Sequence, residues 1–379
     1  MKIVFLVSSM NAGGAERVAA TLASAWAERG DTVTLVPTYK GKGTCFYPLS
    51  PRVNLLWLAD RLGASGNPLV AGINKLRVLR NLVKTEKPDV IVSFLTNVNV
   101  MVLLGTHGLD TPTIVCERTN PAVSVSSGPV LKFLRWCTYR WASVVTVQAQ
   151  SSVAAFRKMV PGIRSLAVIP NPLPPELLDA QLAPRVPNAQ GRRHLMAMGR
   201  LVEQKQFQFL IQAFSKVAAD YPDWDLVIWG DGPLRGALTQ QIADAGLASR
   251  ITLPGRTEGP WDELARADAF ALTSAVEGFP NVLLEAMALG LPCVTFDCPS
   301  GPREMTQDGR DALLIPAGDQ EALAQGLKKL LGDAGLRDAL AAQGATSVRR
   351  RYALPAVLER WDELFVQAGV LTQPNKERL

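Results

Sequence analysis

The feature that most constrains this chain is an alternation that starts twice. Short apolar runs suited to buried strands are separated by longer stretches with helical periodicity. Parallel strands require this pattern, because the crossover between two of them must be long enough to hold a helix. In the first half the strands are expected near Ile3–Ser9, Thr32–Thr38, Asp89–Leu95, Thr113–Glu117, Ser143–Gln148 and Ala167–Pro170. In the second they are expected near His194–Leu201, Asp225–Gly230, Ile251–Pro254, Ala269–Thr273, Cys293–Phe296 and Leu313–Ile315. Between the halves, NPLPPELLDAQLAPRVPNAQGRR (Asn171–Arg193) is rich in proline and lacks periodicity, as a connection does. The expected fold is α/β and doubly wound. A first domain covers 1–175, a linker 176–193 and a second domain 194–379, with the last helix near the domain junction. Two such domains are expected to face each other across a cleft, and ligands of such folds sit beyond the carboxyl ends of the strands.

Composition narrows the class. A chain of 379 residues, 47% hydrophobic and 20% charged, can bury two or three cores. The opening MKIVFLVSS lacks a small-residue cleavage site and reads as a strand, and no apolar run approaches the ~20 residues of a membrane span. Cys45, Cys116, Cys137, Cys293 and Cys298 form an odd set without a C-x-x-C pair, so reduced thiols in a cytoplasmic setting are expected. The net charge of +6 is uneven: residues 1–180 carry 19 Lys and Arg against 10 Asp and Glu, the remainder 21 against 24. A phosphate-bearing substrate or an anionic lipid surface is therefore the expected partner of the first half. The aromatic residues form no base-stacking motif, so no nucleic acid partner is expected. Two histidines, His107 and His194, give neither a nucleophilic triad nor a metal-ligand pair.

The loops after the strands carry the candidate chemistry. In EGFPNVLLEAMALG, Gly278 keeps Glu277 out of the helix, Pro280 suits its first turn, and Glu285 lies about a turn and a half inside. On one helix the two carboxylates would be roughly 12 Å apart, too far to share a metal or a proton. So placed, they can hold two polyol ends of one long ligand with an anion between them near the helix start, which is the shape of a nucleotide-sugar. The alternative is a dipole-favoured acid and an ordinary surface glutamate. GRLVEQK puts Arg200 and Lys205 after the first strand of the second half, where two cations can neutralise a diphosphate or simply be solvated. In NAGGAER, Gly13 and Gly14 allow a close backbone approach to a ligand or form a plain tight turn. This is not the dinucleotide fingerprint. GDGP (Gly230–Pro233) reads as a turn that could line a nucleotide, and Asp223-Trp224-Asp225 as a structural turn, not a metal site. On a helical wheel of Val130–Trp141, Lys132, Arg135, Trp136, Tyr139 and Arg140 share one arc, a basic aromatic face suited to anionic headgroups, to a pyrophosphate-linked lipid or to solvent.

With GGAER, GRLVEQK, GDGP, EGFPNVLLE and SGPREMTQDGRDALLIPAGD in this order, nearly the whole chain resembles the family-4 retaining glycosyltransferases of the GT-B fold. The likeness is nearest to bacterial enzymes of lipid-linked oligosaccharide and exopolysaccharide synthesis, including the N-acetylgalactosaminyltransferases of N-glycosylation. CERTNP and the basic helix after it add to that likeness. The resemblance implies a first domain that binds acceptor and a second that binds a UDP-sugar, with no metal or other cofactor. It implies that Arg200 and Lys205 bind the donor diphosphate, Glu285 the ribose, and Glu277 with Gly278, Phe279, Pro280 and Asn281 the sugar. Gly14 would let the phosphates pass close to the first domain, and Gly13, Glu117, Arg118, Lys132, Arg135 and Arg140 would face the acceptor or membrane. Arg200, Lys205 and Glu277 are the residues implied in catalysis.

The chain departs from the family twice. Arg118 stands where relatives often have histidine, and is available for acceptor phosphate or donor sugar; Gln206 stands where a glycine usually follows the motif lysine. The implied activity is transfer of a hexose or N-acetylhexosamine from a UDP-sugar to a polyprenyl-diphosphate-linked or surface-polysaccharide glycan, on the cytoplasmic face of a membrane. The competing readings are a nucleotide-sugar epimerase or hydrolase of the same fold and a non-catalytic membrane-associated scaffold.

Overall fold

The computed structural model describes residues 1–39, 43, 45–62, 67–119, 128–178 and 191–371. They form two compact units. One contains residues up to Pro172 and the segment from Pro355 onward, the other Leu173–Leu354.

In the first unit, β1 (Lys2–Val7), β2 (Thr32–Pro37), β3 (Asn54–Leu55), β4 (Val90–Phe94), β5 (Thr113–Cys116), β6 (Val144–Val147) and β7 (Leu166–Val168) make a seven-stranded sheet in the order β3-β2-β1-β4-β5-β6-β7. Every pairing is parallel. The strands are continuous apolar runs because helices cover both faces of a parallel sheet. Residues 3–7 of β1 are buried throughout, and Phe5 meets Phe94 edge-on at 4.7 Å. Only β3 escapes the sequence pattern. Its two residues lie at the sheet edge and are too few to show a period.

In the second unit, β8 (Arg193–Met198), β9 (Trp224–Trp229), β10 (Ile251–Gly255), β11 (Ala269–Leu272), β12 (Cys293–Asp297) and β13 (Leu313–Pro316) form a parallel sheet ordered β10-β9-β8-β11-β12-β13. Strand order reverses between β1 and β4 in one sheet and between β8 and β11 in the other. At such a reversal the loops leaving adjacent strands run to opposite faces and leave a crevice. GGAER follows β1, GRLVEQK follows β8 and EGFPN follows β11, so these motifs all emerge at the reversals.

The expected boundaries need one correction. The last helix, Leu354–Gln367, does not close the second domain; from Pro355 onward the chain belongs to the first unit. Trp361 meets Trp26 edge-on at 5.2 Å, Phe365 lies 5.7 Å from Trp26, and all three rings are buried. Beside them Arg29 and Asp362 form a buried ion pair at 2.5 Å. An amphipathic pattern shows that one helix face is covered, but not which sheet covers it. Of the expected linker 176–193, residues 179–190 lie outside the described residues. No helix among the described residues is long and apolar enough to cross a membrane.

Trp361→Ala removes the centre of this contact and is expected to cost about 3–5 kcal/mol. Urea unfolding followed by a probe in each unit should show the loss in the first unit's transition, with the second unit's unchanged.

Candidate active site

The second-unit site begins with a close approach of two backbones. Gly199 N donates to Trp229 O at 2.9 Å, Leu201 N to Asp231 O at 3.0 Å, and Leu234 N to Leu201 O at 3.1 Å. A Cβ on Gly230, which has φ +139°, would lie 1.8 Å from Gly199 O, and one on Gly232 would lie 2.5 Å from Leu201 O. The glycines of GDGP are thus required by packing against GRL, and the pair supports the loop that carries Arg200. Arg200 itself is exposed; its carbonyl accepts from Val202 N at 2.9 Å, and its side chain makes no hydrogen bond or ion pair among the described residues.

After it comes a 3₁₀ turn, Glu203–Lys205, closed by Gln206 in the left-handed region at φ +49°, ψ +38°. Glycine, the residue expected here from the resemblance, adopts this conformation without strain. The substitution keeps the turn, at the strain of a left-handed non-glycine residue. The turn is clasped to the loop after β11: Thr273 Oγ1 donates to Lys205 O at 3.0 Å, Ala275 N to Gln204 O at 2.8 Å, and Gln204 Nε2 to Val276 O at 2.8 Å. The fourth tie is the one with chemistry. Lys205 Nζ donates to Glu277 Oε1 at 2.5 Å, with side-chain exposures of 18% and 10%.

Two neighbours of this pair are invisible in the sequence. Cys298, just past β12, is buried, and its thiol is pushed up to about 12, first by burial and then by the Glu277 carboxylate, against the opposing pull of Lys205. The buried Ser274 hydroxyl, three residues before Glu277, has no hydrogen-bond partner among the described residues. Both follow the ends of apolar strand runs, which is the only sequence signal they give.

Glu277 lies in the loop, as its flanking glycine requires, and the helix runs Asn281–Ala288. Pro280 sits at its N-cap, one position earlier than the first turn. Gly301, at φ +104°, is pressed against that corner, for a Cβ there would be 2.6 Å from Pro280 Cδ. The expected free N–H groups of the helix start are largely engaged: Asn281 N donates to Phe279 O, and Leu283 N and Leu284 N to Pro280 O. The nearest side-chain cation to this corner with a printed contact is Lys205, through its pair with Glu277. The reading of Glu285 as a surface glutamate is also corrected. Its side chain is buried, and Trp261 Nε1, from the helix Pro260–Ala265, donates to Glu285 Oε2 at 3.0 Å. Sequence reasoning missed Trp261 because it lies 24 positions away on another element. Asp225 pairs with Arg192 at 2.9 Å and with Arg250 at 2.8 Å, which keeps it structural. Among the described residues no group of three or more His, Cys, Asp or Glu side chains could hold a metal ion.

In the first unit, Gly13 N donates to the Tyr47 hydroxyl at 3.1 Å, and Ser9 Oγ donates to Glu16 Oε1 at 2.8 Å. Gly13 is extended at φ −171°, and its lack of a Cβ makes room for Glu16 Oε2, 2.3 Å from where that atom would stand. Gly14 is exposed at the start of the helix Gly14–Glu28.

Glu117, after β5, is 1% exposed and receives hydrogen bonds from Thr96 Oγ1 at 2.8 and 3.0 Å and from the Tyr139 hydroxyl at 2.6 Å. Burial pushes its carboxyl above the usual range, while Tyr139, Arg135 and Thr96 pull the other way. Arg118 is also buried, and its guanidinium lies 3.6 Å above the Phe94 ring. Asn120 and Pro121 of CERTNP lie outside the described residues.

The helix Pro129–Thr138 corrects the wheel. Arg135 and Tyr139 are 2% and 0% exposed and turn inward to Glu117, with Arg135 Nη1 3.9 Å from Glu117 Oε1. The outward face instead carries Val130 (71%), Phe133 (62%) and Trp136 (43%), with Lys132 and Arg140 exposed beside them. Burial of Arg135 depends on a carboxylate 18 positions away, which no local period can register.

Two family models match: "Glycosyl transferase 4-like domain" over residues 13–172 and "Glycosyl transferases group 1" over residues 192–333. The chain belongs to these glycosyltransferases, and its two doubly wound parallel sheets are those of the GT-B fold. Among characterised relatives it is 26% identical, over 97% of this chain and 99% of the other, to the GalNAc-α-(1→4)-GalNAc-α-(1→3)-diNAcBac-PP-undecaprenol α-1,4-N-acetyl-D-galactosaminyltransferase of Campylobacter jejuni. It is 30% identical to an exopolysaccharide phosphotransferase of Streptomyces coelicolor, over 97% of this chain but only 41% of that protein's length. Its fold is similar to that of sucrose-phosphate synthase from Thermosynechococcus elongatus (TM-score 0.80, 17% identity, 97% and 99% coverage) and of Anabaena HepE with UDP and glucose (TM-score 0.78, 19% identity, 97% and 99% coverage).

Gly230→Ala drives a Cβ into Gly199 O and is expected to destabilise by about 1–3 kcal/mol. Gly236→Ala, in the helix Arg235–Asp244 with nothing within 4 Å of the added atom, is expected to stabilise by about 0.5–1 kcal/mol. Thermal melts of the two variants should move in opposite directions.

Proposed function

We propose that the protein transfers a hexose or N-acetylhexosamine from a UDP-sugar to a polyprenyl-diphosphate-linked or surface-polysaccharide glycan, with retention and without a metal. The observation that carries this reading is the Lys205–Glu277 pair, held at the reversal of the second sheet beside the unpartnered Arg200. On donor binding, Lys205 exchanges the Glu277 carboxylate for a phosphate oxygen, and Arg200 adds a second cation with fork geometry. Glu277, released, accepts from a sugar hydroxyl, and Glu285, oriented by Trp261, accepts from the ribose. As the sugar C–O bond to the diphosphate breaks, negative charge grows on the leaving UDP, where the two cations already stand. The acceptor oxygen attacks from the leaving-group face, and its proton passes to a phosphate oxygen of UDP.

The acceptor class is supported by the Campylobacter relative, which acts on an undecaprenol-linked glycan, and by the positive first half of the chain. The exposed Val130, Phe133 and Trp136 with Lys132 and Arg140 suit a peripheral contact with an anionic membrane.

Metal-free incubation with UDP-sugars and lipid-linked acceptors, with mass analysis of the acceptor, should show one sugar class added and UDP released. Lys205→Ala and Glu285→Ala are each expected to lower kcat/KM by about 10²–10³-fold. Wild-type turnover in both would sink the site assignment. Donor turnover that needs no acceptor would replace transfer with epimerisation or hydrolysis. Exchanging Phe133 and Trp136 for serine is expected to weaken binding to anionic vesicles without changing turnover of a water-soluble acceptor.

A further inference from the structure

Arg118 is a buried cation with no anionic partner among the described residues. Its residue is 8% exposed, and two of its guanidinium atoms, Nε and Nη2, are buried with no hydrogen-bond partner among the described residues. Those two N–H groups leave the same edge of the planar guanidinium side by side, as the fork that grips an oxyanion with two parallel hydrogen bonds. The adjacent carboxylate does not use it. Glu117 is taken by Thr96, Tyr139 and Arg135. The ring of Phe94 covers one face of the guanidinium and fixes its plane. Burial draws the guanidinium down to about 10, which leaves it charged at neutral pH.

A second observation lies on the neighbouring strand end. The helix Thr96–Thr106 starts beside Arg118, since Phe94 pairs with Cys116 across β4 and β5 and Leu95 N donates to Cys116 O at 3.1 Å. This helix start has no side-chain cap and no acid in its first turn. Its N-cap, Leu95, is held at φ +77°, a strained conformation for leucine of the kind that gathers at ligand sites. The acid nearest this helix start is Glu117, which Thr96 already holds, so the unfilled edge of the Arg118 guanidinium, one strand from the reversal of the first sheet, is the group left to meet an anion.

We propose that this corner of the first unit is a phosphoryl-binding subsite in which the Nε–Nη2 edge of Arg118 grips two oxygens of a diphosphate. It rests on the transfer reading for the source of that diphosphate, which is either the nucleotide-sugar donor or the lipid-linked acceptor. Arginine in place of histidine makes this grip independent of pH across the neutral range, because its charge does not titrate there.

The test titrates three probes calorimetrically into the full chain: inorganic diphosphate, UDP and farnesyl diphosphate. Arg118→Lys keeps the charge but has no fork, and Arg118→Met keeps the stem alone. Both are expected to weaken inorganic diphosphate by about 10- to 100-fold, the worth of one or two charge-assisted hydrogen bonds. Loss of UDP affinity assigns the subsite to the donor, and loss of farnesyl diphosphate affinity to the acceptor. The melting temperature separates binding from a structural role: Arg118→Met should equal or exceed wild type, because it removes an unmatched buried charge. Affinities for all three probes that ignore position 118, absence of binding by the wild type, or a marked fall in the Arg118→Met melt would each overturn the proposal. If no sugar is transferred yet diphosphate binding depends on Arg118, the transfer reading fails and the subsite stands.

Discussion

The reversal of strand order within each sheet is the constraint on which the rest depends. Consecutive strands on one side of β8 send their connections over one face, and those on the other side send them over the opposite face. Only beside that line can two loops from adjacent strands lie open without a crossing helix between them. The turn after β8 and the loop after β11 meet there, and three hydrogen bonds to backbone carbonyls hold them before any charge is considered. The Lys205–Glu277 pair is a consequence of that clasp. Its geometry is fixed by main-chain contacts, so a ligand can exchange its partners without rebuilding the loops.

Much of the fold is legible in the sequence because parallel strands are buried on both faces and therefore appear as unbroken apolar runs. Twelve of the strands are signalled in this way, and β3 is not, since two residues have no period. The final helix is legible as a helix, but its destination depends on Trp26 and Arg29, more than 300 positions earlier. The site shows the same division. Residue types and their order mark Arg200, Lys205, Glu277 and Glu285 as candidates, while the environment of each is set by residues far along the chain. Trp261 orients Glu285 and Cys298 lies within the field of Glu277, and neither carries a pattern of its own. Arg135 shows the opposite error: a helical wheel places it on an outward face, and a distant carboxylate draws it in.

The two sheets place different electrostatics at their reversals. In the second unit the lysine and the glutamate satisfy each other and the arginine reaches into solvent. In the first, one strand from the reversal, the acid is satisfied three times over by neutral hydroxyls and Arg135, and the arginine beside it has no anionic partner among the described residues. A charge with no internal partner is destabilising in an empty protein and becomes favourable only when something anionic arrives.

The return of the last helix to the first unit has a consequence for the order in which the molecule is made. A chain emerging from its N-terminus delivers all of Leu173–Leu354 before Trp361 and Asp362 exist. The second unit is therefore one unbroken stretch of chain, while the first keeps the faces of Trp26 and Arg29 uncovered until the helix with Trp361 and Asp362 docks. The unit that starts first is the one that finishes last.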